Sequence, residues 1–255
     1  MNGQGPLAAS TARRCLALAV ALMVLSGSRA GRTQDVVQGF AVIPVTVEMF
    51  PGERATILTI RNHTDREATF QVRPFTWSQP AGNDQLGPTD ALLVSPPLGV
   101  LPAGSTQVVR LVLRRPAEGR EITYRILLDQ VPAQPTPGQI GFVLRLSIPV
   151  FVDPPGRIAP QLSWALESQG VSAWLVARNI GSRRQVVHDM KLVAADGRVL
   201  SLESNLSPYI LAGGVRRWRI LGPGAGPSAG GTLRLTALAD TGEIDQAVPV
   251  LRAGP

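Results

Sequence analysis

The chain has 255 residues, of which 44% are apolar and 17% charged, and a formal net charge of +7. That much apolar material supports one or two folded domains and excludes a disordered chain. Arg13, Arg14 and Arg29 lie in an opening thirty residues that hold no acid, and without them the charge is +4. Twenty-four arginines stand against the single Lys191, and no basic patch is interleaved with aromatics, so nucleic acid is set aside as a partner.

Arg13 and Arg14 precede an apolar run from Cys15 to Leu25, and Ser28 and Ala30 are the small residues before a cut after Ala30. This predicts a secretory signal peptide over 1–30. Its apolar core is shorter than the roughly twenty residues of a membrane-spanning helix. The arginine pair also permits a twin-arginine signal, but the rest of that pattern is poor and the general secretory route is favoured. Cys15 would leave with the signal, so disulfides, thiol catalysis and thiolate metal sites are excluded from the exported protein.

Beyond the signal, helical periodicity is nearly absent, and short alternating apolar and polar runs are separated by Gly, Pro, Asn and Asp. The alternation predicts an all-β protein. Strands are expected over 36–50, 55–61, 68–77, 91–94, 106–113, 122–131 and 140–152, joined by Pro51-Gly52, Asn62-His63-Thr64-Asp65, a long loop over 78–90, Pro102-Ala103-Gly104 and 132–138. Seven short strands in this span suggest an immunoglobulin-like sandwich over 31–152. Asp153-Pro154-Pro155-Gly156 cannot continue a central strand and places an interdomain linker over 153–158. A second set of strands, over 161–167, 171–179, 185–194, 198–203, 215–220, 232–238 and 244–251, predicts a second sandwich over 159–255.

Pro44 sits inside the first strand and Pro149 near the end of the seventh. Proline is tolerated at sheet edges or where a strand passes between sheets, so both strands are expected at exposed edges. The seventh strand is poorly defended for an edge. Ile140, Phe142, Leu144, Leu146 and Ile148 alternate on one face, against Gly141, Val143, Arg145 and Ser147 on the other. Two readings stand for the apolar face: ordinary sandwich core, or a strand lent to a partner by β-augmentation.

The ordered set Phe50-Pro51-Gly52, Asn62, Phe75-Thr76-Trp77, Val94-Ser95-Pro96-Pro97, Pro102-x-Gly104 with Gln107-Val108-Val109-Arg110, and Tyr124-Arg125-Ile126 leading to Val131-Pro132 resembles the PapD-like periplasmic pilus chaperones. It is most similar to the archaic chaperone–usher branch. The resemblance runs on through Tyr209-Ile210-Leu211-Ala212-Gly213-Gly214 and Trp218, over about 36–251. It implies two sandwiches in a boomerang, acting without a cofactor in the periplasm. It also implies a seventh strand that inserts Ile140, Phe142, Leu144, Leu146 and, nearer its end, Ile148 into the groove of an immature pilin subunit, a mode in which main-chain pairing supplies affinity and alternate side chains fill pockets. The implied partners are pilin subunits and an outer-membrane usher, and the family also allows a self-capped dimer when free.

The better-known branch anchors the pilin's terminal carboxylate with a basic pair. Landmark matching places Val47 and Pro149 at those positions, so the anchor is missing or rebuilt. Arg110 and Arg125 interrupt apolar strands, and an arginine can hold a carboxylate with two parallel hydrogen bonds. The alternative is internal pairing with Glu121 or Asp129; Arg145 is a third candidate.

Catalytic and metal signals are weak. Gly226-Pro227-Ser228-Ala229-Gly230 matches a nucleophile elbow only formally, since it lacks the strand-to-helix turn that the elbow needs, and Gly224-Ala225-Gly226 has no helix to open. His63 and His188 belong to different domains, which leaves no metal site, and nothing in the spacing selects Glu48, Glu53 and Asp84 as an acid/base set. The expectation is a non-enzyme without a small-molecule substrate. The competing reading is an exported adhesin or carbohydrate-binding module that would stack sugars on Trp77, Trp164, Trp174 or Trp218.

Overall fold

The computed structural model describes residues 39–132, 143–156, 158–169, 172–204, 207–222 and 232–252. The signal-peptide segment, Ile140, Phe142 and Ser228 lie outside them. The first ten strands are β1 (Phe40–Ile43), β2 (Val47–Met49), β3 (Ala55–Asn62), β4 (Ala68–Ser78), β5 (Gln85–Pro88), β6 (Leu92–Ser95), β7 (Leu98–Leu101), β8 (Thr106–Leu113), β9 (Ile122–Val131) and β10 (Arg145–Val152). They form a four-stranded sheet in the order β1-β3-β8-β6 and a second sheet in the order β2-β10-β9-β4-β5, with β7 also on β4.

Pro44 divides the expected first strand. It has no N–H for a ladder and a fixed φ, so β1 ends at Ile43 on β3, and the chain resumes as β2 in the other sheet, parallel to β10. β5 and β7 form within spans read as connectors. Each is four residues long and contains Gly or Pro, so no period is visible; pairing with β4 creates them. At β7 a Cβ on Gly99 would come within 2.8 Å of the Phe70 ring, so glycine allows the backbone to lie on that ring.

Alternation puts Leu58, Ile60, Val109 and Leu111 from one sheet against Phe70, Val72, Ile126, Leu128, Ile148 and Val150 from the other. Each fully buried side chain of this kind contributes about 1.5–3 kcal/mol.

After Asp153–Gly156 the chain forms β11 (Leu162–Gln169), β12 (Ser172–Asn179), β13 (Gln185–Val193), β14 (Val199–Leu202), β15 (Tyr209–Ile210), β16 (Val215–Leu221), β17 (Thr232–Ala239) and β18 (Gly242–Arg252). Their pairing runs β14-β16-β12-β11-β18-β17-β13-β15, and β13 also pairs with β14. A register shift between His188 and Lys191, with Asp189 at φ 54°, bends β13 between the end that pairs with β15 and the end that pairs with β14. This core holds Leu166, Leu175, Leu235 and Val248 around the stacked Trp164 and Trp218 rings. The protein is therefore all-β, two β-sandwiches in series, and residues 39–255 form one unit.

One corner occurs in both sandwiches. The buried Asn62 side chain donates to the carbonyls of Arg66 and Leu101 and accepts from the Thr64 N–H. Asn179 donates to the carbonyls of Arg183 and Ile210 and accepts from the Gly181 and Gln161 N–H groups. In each, a glycine three residues beyond the accepting strand carbonyl, Gly104 or Gly213, takes positive φ to close the turn.

Candidate functional site: a half-covered strand beside the domain junction

β10 pairs with β9 along its whole length, from Arg145 opposite Asp129 to Val152 opposite Ile122. On its other edge β2 covers only Val150–Val152. Among the described residues, Arg145–Pro149 thus has one neighbouring strand, and cover stops at Pro149. On the core-facing side Ile148 is fully buried, whereas Leu146 and Leu144 are half-buried at the margin. Leu144 rests against the start of the first strand, its Cδ2 only 3.2 Å from where a Cβ on Gly39 would sit.

The opposite face of β10 runs from an open end to the domain junction. At the open end Asp129 accepts hydrogen bonds from Arg145 on β10 and from Arg73 on β4, the latter at 2.7 Å. Burial raises the Asp129 carboxyl, but hydrogen bonds from Arg145 and Arg73 outweigh it and hold the group below its ordinary value. In the middle, Arg125 on β9 stands directly opposite Pro149. Its guanidinium sits 3.7 Å from the centre of the Trp77 ring and 5.8 Å from that of Tyr209. Burial lowers the Arg125 pKa and Asp84 opposes this. No carboxylate lies within ion-pair distance of Arg125 among the described residues.

At the junction Phe151 packs with Trp77, Leu211 and Tyr209. Two buried arginines of the second sandwich reach across. Arg184 stacks 3.6 Å over Phe151 and pairs with Glu121 and Glu48. Arg216 bonds Asp84 at 2.7 Å, and Gln79 ties the Tyr209 carbonyl and the Leu211 N–H. Burial raises the Asp84 carboxyl, but bonds from Arg216, Gln79 and Trp77 bring it below its ordinary value.

Residues 39–157 match the family of pili and flagellar-assembly chaperones over its PapD N-terminal domain. The match spans the first sandwich and the break that follows it. The two sandwiches also share their fold with solved structures. One is the archaic CsuC chaperone bound to the CsuE tip subunit, from Acinetobacter baumannii, at TM-score 0.64 and 19% identity over 85% of this chain and 100% of that one. A second is the complex of the SafB chaperone with SafA pilin from Salmonella enterica, at 0.54 and 15% over 82% and 94%. A third is the Pseudomonas aeruginosa CupB2 chaperone, at 0.51 and 16% over 83% and 100%. No curated protein matches the chain in sequence.

Within the first sandwich the anticipated residues fall in different places. Leu144, Leu146 and Ile148 share the core-facing side of the β10 segment, and Arg125 on β9 pairs with Pro149, next to the stretch that β2 covers. Arg145 is engaged by Asp129. Arg110 is exposed on the outer face of the four-stranded sheet, opposite Ile57 and Ser95, away from β10. Val47 is buried beside Val150.

Trp77, Trp164 and Trp218 are buried, which removes three of the four rings from any sugar-stacking platform. Glu48 and Asp84 are held by interdomain arginines, and Glu53 accepts the Phe50 N–H. His63 and His188 are exposed, and His188 pairs with Asp189. The interdomain set of Gln79, Arg184 and Arg216 carried no sequence signal, because its partners lie 63 to 136 positions apart.

Proposed function

We propose that the protein is a non-enzymatic periplasmic chaperone that binds pilin subunits by lending them the uncovered edge of β10, and then delivers them to an outer-membrane usher. The observation that carries this reading is the half-covered strand: among the described residues, Arg145–Pro149 pairs with β9 alone, while β2 covers only Val150–Val152. An uncovered edge is a template for another strand. A pilin strand laid along it would pair the free backbone groups and enclose Leu144 and Leu146, each with part of about 1.5–3 kcal/mol of burial still to gain. Ile140 and Phe142 would extend the row. The solved complexes with a tip subunit and a pilin support this reading.

Arg125 is the anchor we assign for the pilin's terminal carboxylate. Stacked on Trp77, its guanidinium keeps in-plane donors for two parallel bonds, and it lacks an internal carboxylate partner among the described residues. Usher contact is supported by the outer face of the four-stranded sheet, where Ile43, Ile57, Leu93 and Val108 are exposed and would remain so with β10 occupied. Without a bound pilin, the same β10 edge could pair with a second copy as a self-capped dimer.

The test is native mass spectrometry of the C-terminally tagged protein recovered from its own cells while pili are made. A one-to-one complex with a small β-rich polypeptide is expected, lost in Leu144→Asp and weakened in the milder Leu146→Ser. Undiminished complex in both variants, with near-UV circular dichroism unchanged, would rule out strand donation.

A further inference from the structure

We infer that Asp129 is a positioning residue that clamps the open half of β10 onto its sheet and so presents the strand edge in a fixed register. The inference rests on the strand-lending reading above and assigns that site a further part.

Among the described residues, the open half of β10 has backbone bonds to one neighbouring strand. Such a segment would fray, and a frayed strand would have to be ordered again on every binding event, at a cost in affinity. Asp129 counters this from the face that no partner strand needs. It stands directly opposite Arg145 in the β9–β10 register, and its second oxygen takes both the Nε and Nη2 groups of Arg73 on β4, at 3.2 and 2.7 Å. One carboxylate thus joins three adjacent strands.

The Asp129 side chain is 12% exposed, whereas those of Arg73 and Arg145 are 39% and 63% exposed. The carboxylate is the shielded centre of the group, and the arginines reach in from either side. Arg145 falls between Leu144 and Leu146 in sequence. Its side chain is held on one face while both leucines stay on the other, so the clamp also fixes which face of β10 meets a partner. Both Asp129 oxygens must accept, because all three bonds come from guanidinium groups that cannot act as acceptors, and an asparagine offers only one such oxygen.

The experiment measures amide hydrogen exchange over 144–149 in the free protein and recovery of the pilin complex, for Asp129→Asn and Asp129→Glu. Asp129→Asn is expected to speed exchange in this segment about tenfold with exchange in β12 and β16 unchanged, and to reduce complex recovery several-fold. Asp129→Glu, which keeps the charge, is expected to restore most of both. Unchanged exchange in Asp129→Asn would overturn the clamp. Faster exchange with undiminished recovery would overturn its part in binding. The exchange readout needs no pilin, so failure of the clamp is distinguished from failure of strand lending, which Leu144→Asp tests separately.

Discussion

Arg125 keeps its charge against aromatic faces, where a guanidinium gains about 0.5–2 kcal/mol without neutralising itself. That separates it from Arg145, Arg184 and Arg216, each of which spends its fork on an aspartate or glutamate of the protein. If it holds a pilin carboxylate, Arg125→Ala should weaken pilin capture about tenfold or more, since a hydrogen bond to a charged group contributes about 1.5–3 kcal/mol. Stability should fall only by the lost ring contacts, about 0.5–2 kcal/mol, and titration of a peptide matching the last residues of a pilin would measure the binding difference.

Asp84 and Asp129 have folded-state pKa values below their unfolded ones. Each therefore contributes stability that is present above about pH 4 and lost as pH falls through the folded value. Melting temperatures from pH 7 to pH 3 should show Asp129→Asn less stable than the natural chain at neutral pH, with the gap closing on acidification.

At the scale of elements, strands that alternate over eight or more residues were legible, as β3, β8 and β9 show, because one face meets the core at every second residue. β5, β7 and β15 were not. Two to four residues hold too little alternation, and their existence depends on the strand beside them. Pro44 was legible as the mark of a sheet edge or of a passage between sheets, but only the pairing of β1 with β3 and of β2 with β10 decided for passage. The repeated corner at Asn62 and Asn179 was visible only as turn chemistry, since its acceptors at Leu101 and Ile210 are remote in sequence. Replacing either Asn by Ala strands buried carbonyl and N–H groups and should cost about 1–3 kcal/mol per unmet group, read by urea denaturation. The unfolding of the affected sandwich should shift first.

Across the whole molecule, Arg184 joins the two sandwiches through Glu121 and Glu48 and lies on Phe151, which belongs to β10 itself. The strand that offers its edge at one end is thereby anchored in the domain junction at the other. Arg184→Met keeps much of the packing volume but leaves Glu121, fully buried, without its cation. Removing one partner of such a pair typically costs about 3–5 kcal/mol. Calorimetry should show a lower melting temperature and separate unfolding of the two sandwiches, where the natural chain unfolds more cooperatively.

By itself the sequence determined the class of protein, two all-β sandwiches about a proline-rich break, and the apolar row on the last strand of the first sandwich. Those features are local: a period of two, turn residues and prolines act within a few positions of themselves. Which edge of β10 is covered, that Arg125 lies against aromatic rings, and which aspartate joins three strands were decided only by tertiary structure. Arg145 and Asp129 lie 16 positions apart, Arg73 and Asp129 56, and Arg184 and Glu48 136. Charge pairing at such separations has no pattern along the chain, because sheet register, set by the whole core, selects the partners.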